Sequence, residues 1–359
     1  MQVGLKIWRY DPQSGDKVLR EYDVDAPEWA CLLDVLDLIK DKHDGTLAYR
    51  KSCRMMICGS CGMRMDGRAI LACKERMKPI VDAGHVPVIS PMGNMPVLKD
   101  LVVDMGPFWQ KIRSVKPWLD PGYDEVAEKE RVVSQQQMNA IHKESLCIMC
   151  GCCVSECNSM ESDPEFMGPA ALAKGFRFVG DVRDHADISR LNDYNEEHGI
   201  WDCTRCYFCN ERCPKGVDPR DSIAKLGAES IRQNVDHDMG AKHAKWFVKS
   251  AETTGWLRET ELVPKTQGTV SAIKQIGFAL NLAKHGKVPP PFPPHVARDV
   301  REARDLHDLV REQGREGSAG IVQGEHALAQ IEHVLDADPD HATASRIAPE
   351  QAGGKSGGD

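Results

Sequence analysis

The sequence predicts an α+β chain in which a strand-bearing N-terminal domain precedes an all-α domain and a helical extension. Three observations carry this reading. Val3, Leu5 and Ile7 alternate with polar neighbours, as a half-buried strand requires. Beyond about residue 106 the apolar residues recur at helical spacing, as at Leu172, Phe176 and Val179 or Ile223, Leu226 and Ile231. The 14 cysteines gather in separate runs, one in the strand-bearing part and two in the helical part.

In chain order, the first strand ends at the turn Asp11-Pro12-Gln13-Ser14-Gly15-Asp16, and a second strand runs through Leu19 to Val24. Asp25-Ala26-Pro27 opens a helix, with Pro27 suited to its first turn and Leu32, Leu36 and Ile39 forming its buried stripe. Cys31 falls inside that helix, far from the other cysteines, and reads as a buried structural thiol. Pro87 to Asp104 is Pro/Gly-rich and then apolar, which places a domain boundary near residue 105. Residues 124–145 read as a polar helical connector. Four domains follow: 1–105, 106–235, a helical extension over 236–332 and a disordered tail over 333–359. The extension carries the stripes Ala244, Phe247 and Ala251; Val270, Ile273 and Leu280; Val296, Val300 and Ala303; and Leu328, Ile331 and Leu335. Pro289 to Pro294 is a stiff spacer among them. These stripes either dock on a partner or pack back on the chain's own core.

The cysteine spacing carries the chemistry. Cys203-Thr204-Arg205-Cys206-Tyr207-Phe208-Cys209-Asn210-Glu211-Arg212-Cys213-Pro214 reads C-x2-C-x2-C-x3-C-P, the ligand run of a bacterial ferredoxin. In two-cluster ferredoxins the fourth cysteine of such a run binds the neighbouring cluster. A second run is present: Cys147, Cys150, Cys153 and Cys157 repeat the spacing, with Asn158 in place of proline. Structural zinc also uses CxxC pairs, but gives no reason for a fourth cysteine at x3 in each run. Upstream, Cys53, Cys58 and Cys61, with Cys73 twelve residues later, form the plant-type C-x4-C-x2-C…C pattern of a [2Fe–2S] cluster. Gly59 and Gly62 are expected to supply backbone angles for a loop folded tightly over two irons. Met55, Met56 and Ile57 serve as apolar cover for that cluster or as ordinary core. Cys152 is out of step with the i, i+3, i+6 rhythm and is expected to bind no metal. The fold class is thus an N-terminal plant-type [2Fe–2S] ferredoxin (β-grasp) domain, an all-α two-cluster ferredoxin domain and a helical C-terminal extension.

Composition excludes several classes. A net charge of −8 does not support a main role in nucleic-acid binding. So many cysteines in so long a chain do not suggest a disulfide scaffold. Met1-Gln2-Val3-Gly4-Leu5-Lys6 lacks the apolar core of a signal peptide. No apolar run approaches the ~20 residues that span a bilayer. The chain is expected to be soluble and to lie on the cytoplasmic side.

A [2Fe–2S] domain followed by a two-cluster helical domain resembles the iron–sulfur subunit of succinate dehydrogenase and fumarate reductase. The matching phrases are Ser52-Cys53-Arg54 through Gly62, Leu71-Ala72-Cys73-Lys74, Pro96 to Leu101, Gly168-Pro169-Ala170 and Cys213-Pro214-Lys215-Gly216. They cover about residues 1–235. The resemblance implies an electron-transfer subunit without a catalytic residue of its own. Such a subunit relays single electrons between an FAD-containing flavoprotein subunit and a membrane-anchor or cysteine-rich quinone-reactive subunit. It implies a peripheral position on the cytoplasmic side of the inner membrane, with FAD only on the partner. On the family pattern Cys53, Cys58, Cys61 and Cys73 hold [2Fe–2S]. Cys147, Cys150 and Cys153, completed by Cys213, hold [4Fe–4S]. Cys157, Cys203 and Cys209 hold a third cluster.

This sequence departs from the family at two places. Cys206 stands where most relatives have an aliphatic residue and a [3Fe–4S] cluster. It keeps the thiolate rhythm, so a second [4Fe–4S] is expected, with [3Fe–4S] as the alternative. The Trp and His of the usual quinone pocket are replaced by the stretch Asn158 to Ser162 and by Thr204. The cysteine-rich core is also similar to electron-carrying subunits of heterodisulfide reductases. A thiol-dependent fumarate reductase or heterodisulfide-reductase-like complex is therefore the alternative function.

Overall fold

The computed structural model describes residues 1–122, 131–255 and 257–287. The described residues fall within one compact unit, Met1–Val300. The expected connector over 124–145 lies partly outside them. The Pro289–Pro294 spacer, the stripes at Val296–Ala303 and Leu328–Leu335 and the 333–359 tail lie wholly outside.

β1 (Gln2–Tyr10) and β2 (Lys17–Asp25) pair antiparallel along their whole length, from Gln2 opposite Asp25 to Tyr10 opposite Lys17. Val3, Leu5 and Ile7 point inward and are fully buried, as the alternation predicts. α1 (Leu32–Lys42) lays Leu32, Leu33, Val35, Leu36 and Ile39 into the same core. Its start differs from the sequence expectation. Asp34 reaches back to accept the Cys31 N–H at 3.0 Å, which makes Cys31 the cap, while Pro27 begins only a turn closed by the Ala30 N–H. Cys31 is buried, and burial beside the Asp34 carboxylate pushes its thiol up.

β3 (Gly62–Met65) and β4 (Arg68–Leu71) form a tight hairpin whose central residues, Asp66 and Gly67, both have positive φ. After α2 (Lys78–Asp82), β5 (Val88–Ser90) enters parallel to β1 and antiparallel to β3, giving the order β2-β1-β5-β3-β4. This mixed sheet shares its core with α1, the β-grasp arrangement expected. The Pro/Gly-rich stretch from Pro87 thus opens with a central strand. A separate hairpin of β6 (Val97–Lys99) and β7 (Val102–Val103) follows. Asp100, in its turn, is buried and accepts from Arg9 Nε at 2.9 Å and the N–H groups of Tyr10 at 3.0 Å and Ala48 at 2.8 Å. These bonds clamp the hairpin onto β1.

The remainder is helical. α3 (Gly106–Ser114), α4 (Gln135–Ala140), α5 (His142–Ser145), α6 (Cys152–Ser155) and α7 (Asn158–Ser162) lead to the central α8 (Pro169–Val179). α9 (Asp187–Tyr194), a 3-10 turn at Ile200–Asp202, α10 (Phe208–Glu211) and α11 (Pro219–Arg232) follow. Leu172 and Phe176 of α8 meet Ile223 and Leu226 of α11 in a second core, with Phe166, Leu191 and Tyr194. Val179 and Ile231, at the ends of those stripes, are half-buried. Arg190 and Asp184 form a fully buried pair, and Arg190 also donates to the carbonyls of Lys116 and Trp118. The polar groups of the buried arginine are thereby satisfied. α12 (Met239–Thr254), α13 (Glu259–Thr266), α14 (Thr269–Lys274) and α15 (Ile276–Lys284) complete the described chain. Of the stripes expected there, Ala244 is half-buried, while Phe247, Ala251, Val270, Ile273 and Leu280 are exposed among the described residues.

Candidate metal centres

The structure gathers the twelve predicted cysteines into three groups. In the first, the loop before β3 curls through left-handed residues Arg54, Met56 and Gly59. The curl aims the N–H groups of Met55, Ile57 and Cys58 at the Cys53 sulfur, at 3.4, 3.3 and 3.3 Å. The Cys53 N–H faces the Cys58 sulfur at 3.5 Å. Such donors favour the thiolate. The Ser60 hydroxyl, with backbone N–H groups, lowers Cys58 to about 6. The β3–β4 register supplies the rest. Gly62 pairs with Leu71, so Cys61 and Cys73 flank the open end of the hairpin and interact. Burial pushes Cys61 to about 12.

Cys147, Cys150, Cys153 and Cys213 line one small cavity with Ile148, Met149, Ala170, Ala173 and Pro214. Cys150 is lowered to about 7, chiefly by the neighbouring Cys152 thiol, while desolvation raises Cys153. The Val217 N–H donates to the Cys213 sulfur at 3.3 Å. In the third group Cys157, Cys203, Cys206 and Cys209 lie close enough to perturb one another's ionisation. Cys206 is the exposed member. Arg220 stacks over the Tyr207 ring at 4.4 Å and its charge is felt at Cys203. The two helical-domain runs share one backbone device: the second and fourth residues after the first cysteine are left-handed, Met149 and Gly151 in one, Arg205 and Tyr207 in the other. This curl turns the three closely spaced cysteines of each run toward one point.

The donor set fits iron–sulfur clusters. Soft thiols in fours, ringed by N–H donors and apolar walls, suit these clusters better than harder cations.

Cys152 neighbours Cys150 but does not line that cavity: it is buried in the core of the N-terminal sheet with its sulfur 3.8 Å from the Ile70 carbonyl. Met55 and Ile57 are 69% and 59% exposed, so they form no core, and only Met56 packs inward. Gly59 has the positive φ expected of it, but Gly62 does not. Gly62 sits where space is tight, because a Cβ there would stand 3.0 Å from Met92 Sδ and 3.3 Å from the Cys150 carbonyl oxygen. The stretch Asn158 to Ser162 and Thr204 are joined directly: Ser159 Oγ accepts the Thr204 N–H at 3.1 Å. One contact had no signal in the sequence. A methyl on Gly59 would stand 2.7 Å from Cys150 Cβ, so the first and second cysteine groups meet backbone to side chain. α6, which carries Cys153 of the second group, in turn packs against α10, which carries Cys209 of the third.

Residues 4–110 match the 2Fe-2S iron-sulfur cluster binding domain, and residues 144–217 match the 4Fe-4S dicluster domain. The fumarate reductase iron-sulfur subunit of Haemophilus influenzae is 37% identical over 245 residues, 65% of this chain and 94% of that protein. The 8-methylmenaquinol:fumarate reductase iron-sulfur subunit of Wolinella succinogenes is 34% identical over 277 residues, 76% of this chain and 85% of its own. Among solved structures, a chain of the Mycobacterium smegmatis Sdh1 complex in the apo form superposes with a TM-score of 0.60 at 25% identity, over 66% of this chain and 98% of its own. With both cluster domains in order and relatives matched along most of their length, the chain belongs to the family of fumarate reductase and succinate dehydrogenase iron–sulfur subunits.

Proposed function

We propose that this chain relays single electrons between an FAD-containing flavoprotein subunit and a membrane-side, quinone-reactive subunit of a succinate dehydrogenase or fumarate reductase complex. Cys53, Cys58, Cys61 and Cys73 would hold [2Fe–2S]. Cys147, Cys150, Cys153 and Cys213 would hold [4Fe–4S], and Cys157, Cys203, Cys206 and Cys209 a second [4Fe–4S]. The reading assigns the clusters to residues 1–105 and 106–235, with 236–332 as an accessory extension and 333–359 as a tail. It places the chain peripherally on the cytoplasmic face of the membrane. Among the described residues no helix is long and apolar enough to cross a bilayer.

The observation that carries this reading is the serial placement of the three thiol groups: Gly59 lies against Cys150, and α6, which holds Cys153, packs against α10, which holds Cys209. When bound, the clusters supply one-electron redox chemistry. The chain's own part is to bring their sites together, exclude water with Ala170, Ala173 and Met149, and stabilise thiolates with N–H groups. No side chain here is needed as acid or base.

The test is anaerobic co-purification with the flavoprotein subunit. A complex with about ten irons per chain, whose clusters bleach on adding succinate or recolour on adding fumarate, meets the expectation. A chain that binds zinc, or that holds iron without exchanging electrons with the flavoprotein, overturns it. A second reading, a thiol-dependent or heterodisulfide-reductase-like complex, draws on the Ser159–Thr204 pair that stands in place of the quinone-pocket ring and imidazole. Quinone and thiol assays on the whole complex separate the two.

A further inference from the structure

The described extension ends in a surface unlike the rest of the chain. Val270, Ile273, Phe278 and Leu280 are each between 59% and 68% exposed, and Ile276 is half exposed. No described residue packs over them. Within α15, Gly277, Asn281 and Lys284 recur at i, i+4 and i+7, so one narrow stripe is polar and the remaining surface is Ile276, Phe278, Ala279, Leu280, Leu282 and Ala283.

The charge around this surface is reversed relative to the whole protein. The chain carries −8, yet residues 239–287 hold eight Lys and Arg against three acidic residues. From Leu262 to Lys287 there is no acidic residue, while Lys265, Lys274, Lys284 and Lys287 are all present. Lys274, Lys284 and Lys287 are exposed beside the apolar residues. Aromatic and aliphatic side chains flanked by lysines, on helices too short to span, are what an anionic lipid interface binds. A protein partner would have to bring a matching acidic rim; a leaflet of anionic lipid supplies one everywhere.

We propose that α14 and α15 are an interfacial anchor: the apolar side chains of residues 270–282 enter the headgroup region of an anionic bilayer, and Lys274, Lys284 and Lys287 bind its phosphates. The anchor is independent of the cysteine groups and does not require the quinone reading. It gives this subunit its own hold on the membrane surface, beside whatever subunit it docks on.

Flotation of the full, cluster-loaded chain with phosphatidylcholine vesicles, with and without phosphatidylglycerol, tests this. The chain is expected to float with the phosphatidylglycerol vesicles at low salt and to be released by high salt. Phe278→Ser combined with Leu280→Ser should weaken binding roughly tenfold or more, as should Lys274→Glu with Lys284→Glu. Because these side chains are exposed, both variants should keep the parent's visible spectrum and iron content. Amide exchange in α15 should be fast in the lipid-free chain and slow on adding the vesicles.

Absence of flotation by the parent chain, or flotation unchanged in both variants, overturns the proposal. So does an α15 already protected without lipid and released by ending the chain after Lys287, since its occupant would then be the chain's own C-terminal segment. Loss of a protein subunit from the Phe278→Ser/Leu280→Ser complex, with no vesicle binding by the parent, assigns the surface to that subunit and equally overturns the lipid reading.

Discussion

Arg64 of β3 donates to Glu156 at 2.8 Å, joining the sheet to the helical cysteine run across 92 residues of sequence. The same guanidinium reaches the Ser155 hydroxyl at 3.1 Å and the Ser155 carbonyl. Arg64 follows Cys61 and Gly62, and Glu156 precedes Cys157, so this pair braces two cysteine groups at once. A planar fork with several donors suits the task better than a lysine. Arg64→Met is expected to cost about 2 kcal/mol, because it leaves a largely buried carboxylate without its cation. Thermal unfolding should shift down by several degrees, and Glu156→Gln less. An unchanged transition in both would show that the brace carries no stability.

At Gly59 the backbone is left-handed, with φ +71°, and touches Cys150. Gly59→Ala should be doubly unfavourable, from the strained φ and from a Cβ 2.7 Å from its neighbour, at about 2 kcal/mol or more. The loops must separate to admit it. Reduced protein should then show weaker spin coupling between the first two clusters, and slower electron arrival at the second. Unaltered coupling would mean that Gly59 does not set their spacing.

Cys152→Ser should retain every iron, since the Cys152 sulfur is buried in the sheet core beside Ile70. Cys147→Ser and Cys213→Ser should instead damage one and the same cluster, because both thiols line one cavity. Iron analysis with EPR of the three variants decides. Iron loss from Cys152→Ser would contradict the ligand assignment.

On the proposed assignment Cys206 is the fourth ligand of the third cluster. The parent should contain about ten irons and lack the oxidised three-iron EPR signal; Cys206→Val should drop to about nine and gain it. A parent that shows that signal stoichiometrically has Cys206 turned away from the metal.

The His198 ring lies 2.7 Å from Asp163 and 3.0 Å from Glu165. Asp163 raises the His198 pKa, and His198 lowers that of Asp163. The stabilisation from a raised histidine is fully present below its unfolded value and is lost as pH rises through the folded value. That from the lowered aspartate is present above its unfolded value and lost in acid. The pair therefore helps most in mildly acidic solution, and the melting temperature of the parent relative to His198→Gln should fall as pH rises above the free histidine value of about 6.5. A difference that is flat with pH would show the pair to be inert.

Much of this protein is written in local pattern. Strand alternation at Val3, Leu5 and Ile7, the stripes of α8 and α11, and the cysteine spacings are short-range periodicities, and periodicity survives in a one-dimensional string. The misfit of Cys152 with a three-residue rhythm is likewise local, and its side chain sits in the core of the N-terminal sheet. What the string could not carry were the contacts made by closing long loops. Gly59 meets Cys150, Arg64 meets Glu156, and Asp100 meets Arg9, each pair 91 or 92 residues apart in sequence. Cys31 became a cap and not a helix-interior thiol because the Asp34 carboxylate, only three residues on, bonds its N–H. Met55 and Ile57 face solvent because the curl that aims amides at the Cys53 sulfur turns those two side chains away from the core. Residue types at fixed spacing define which atoms can bind a metal; only packing in three dimensions decides how near one such site lies to the next.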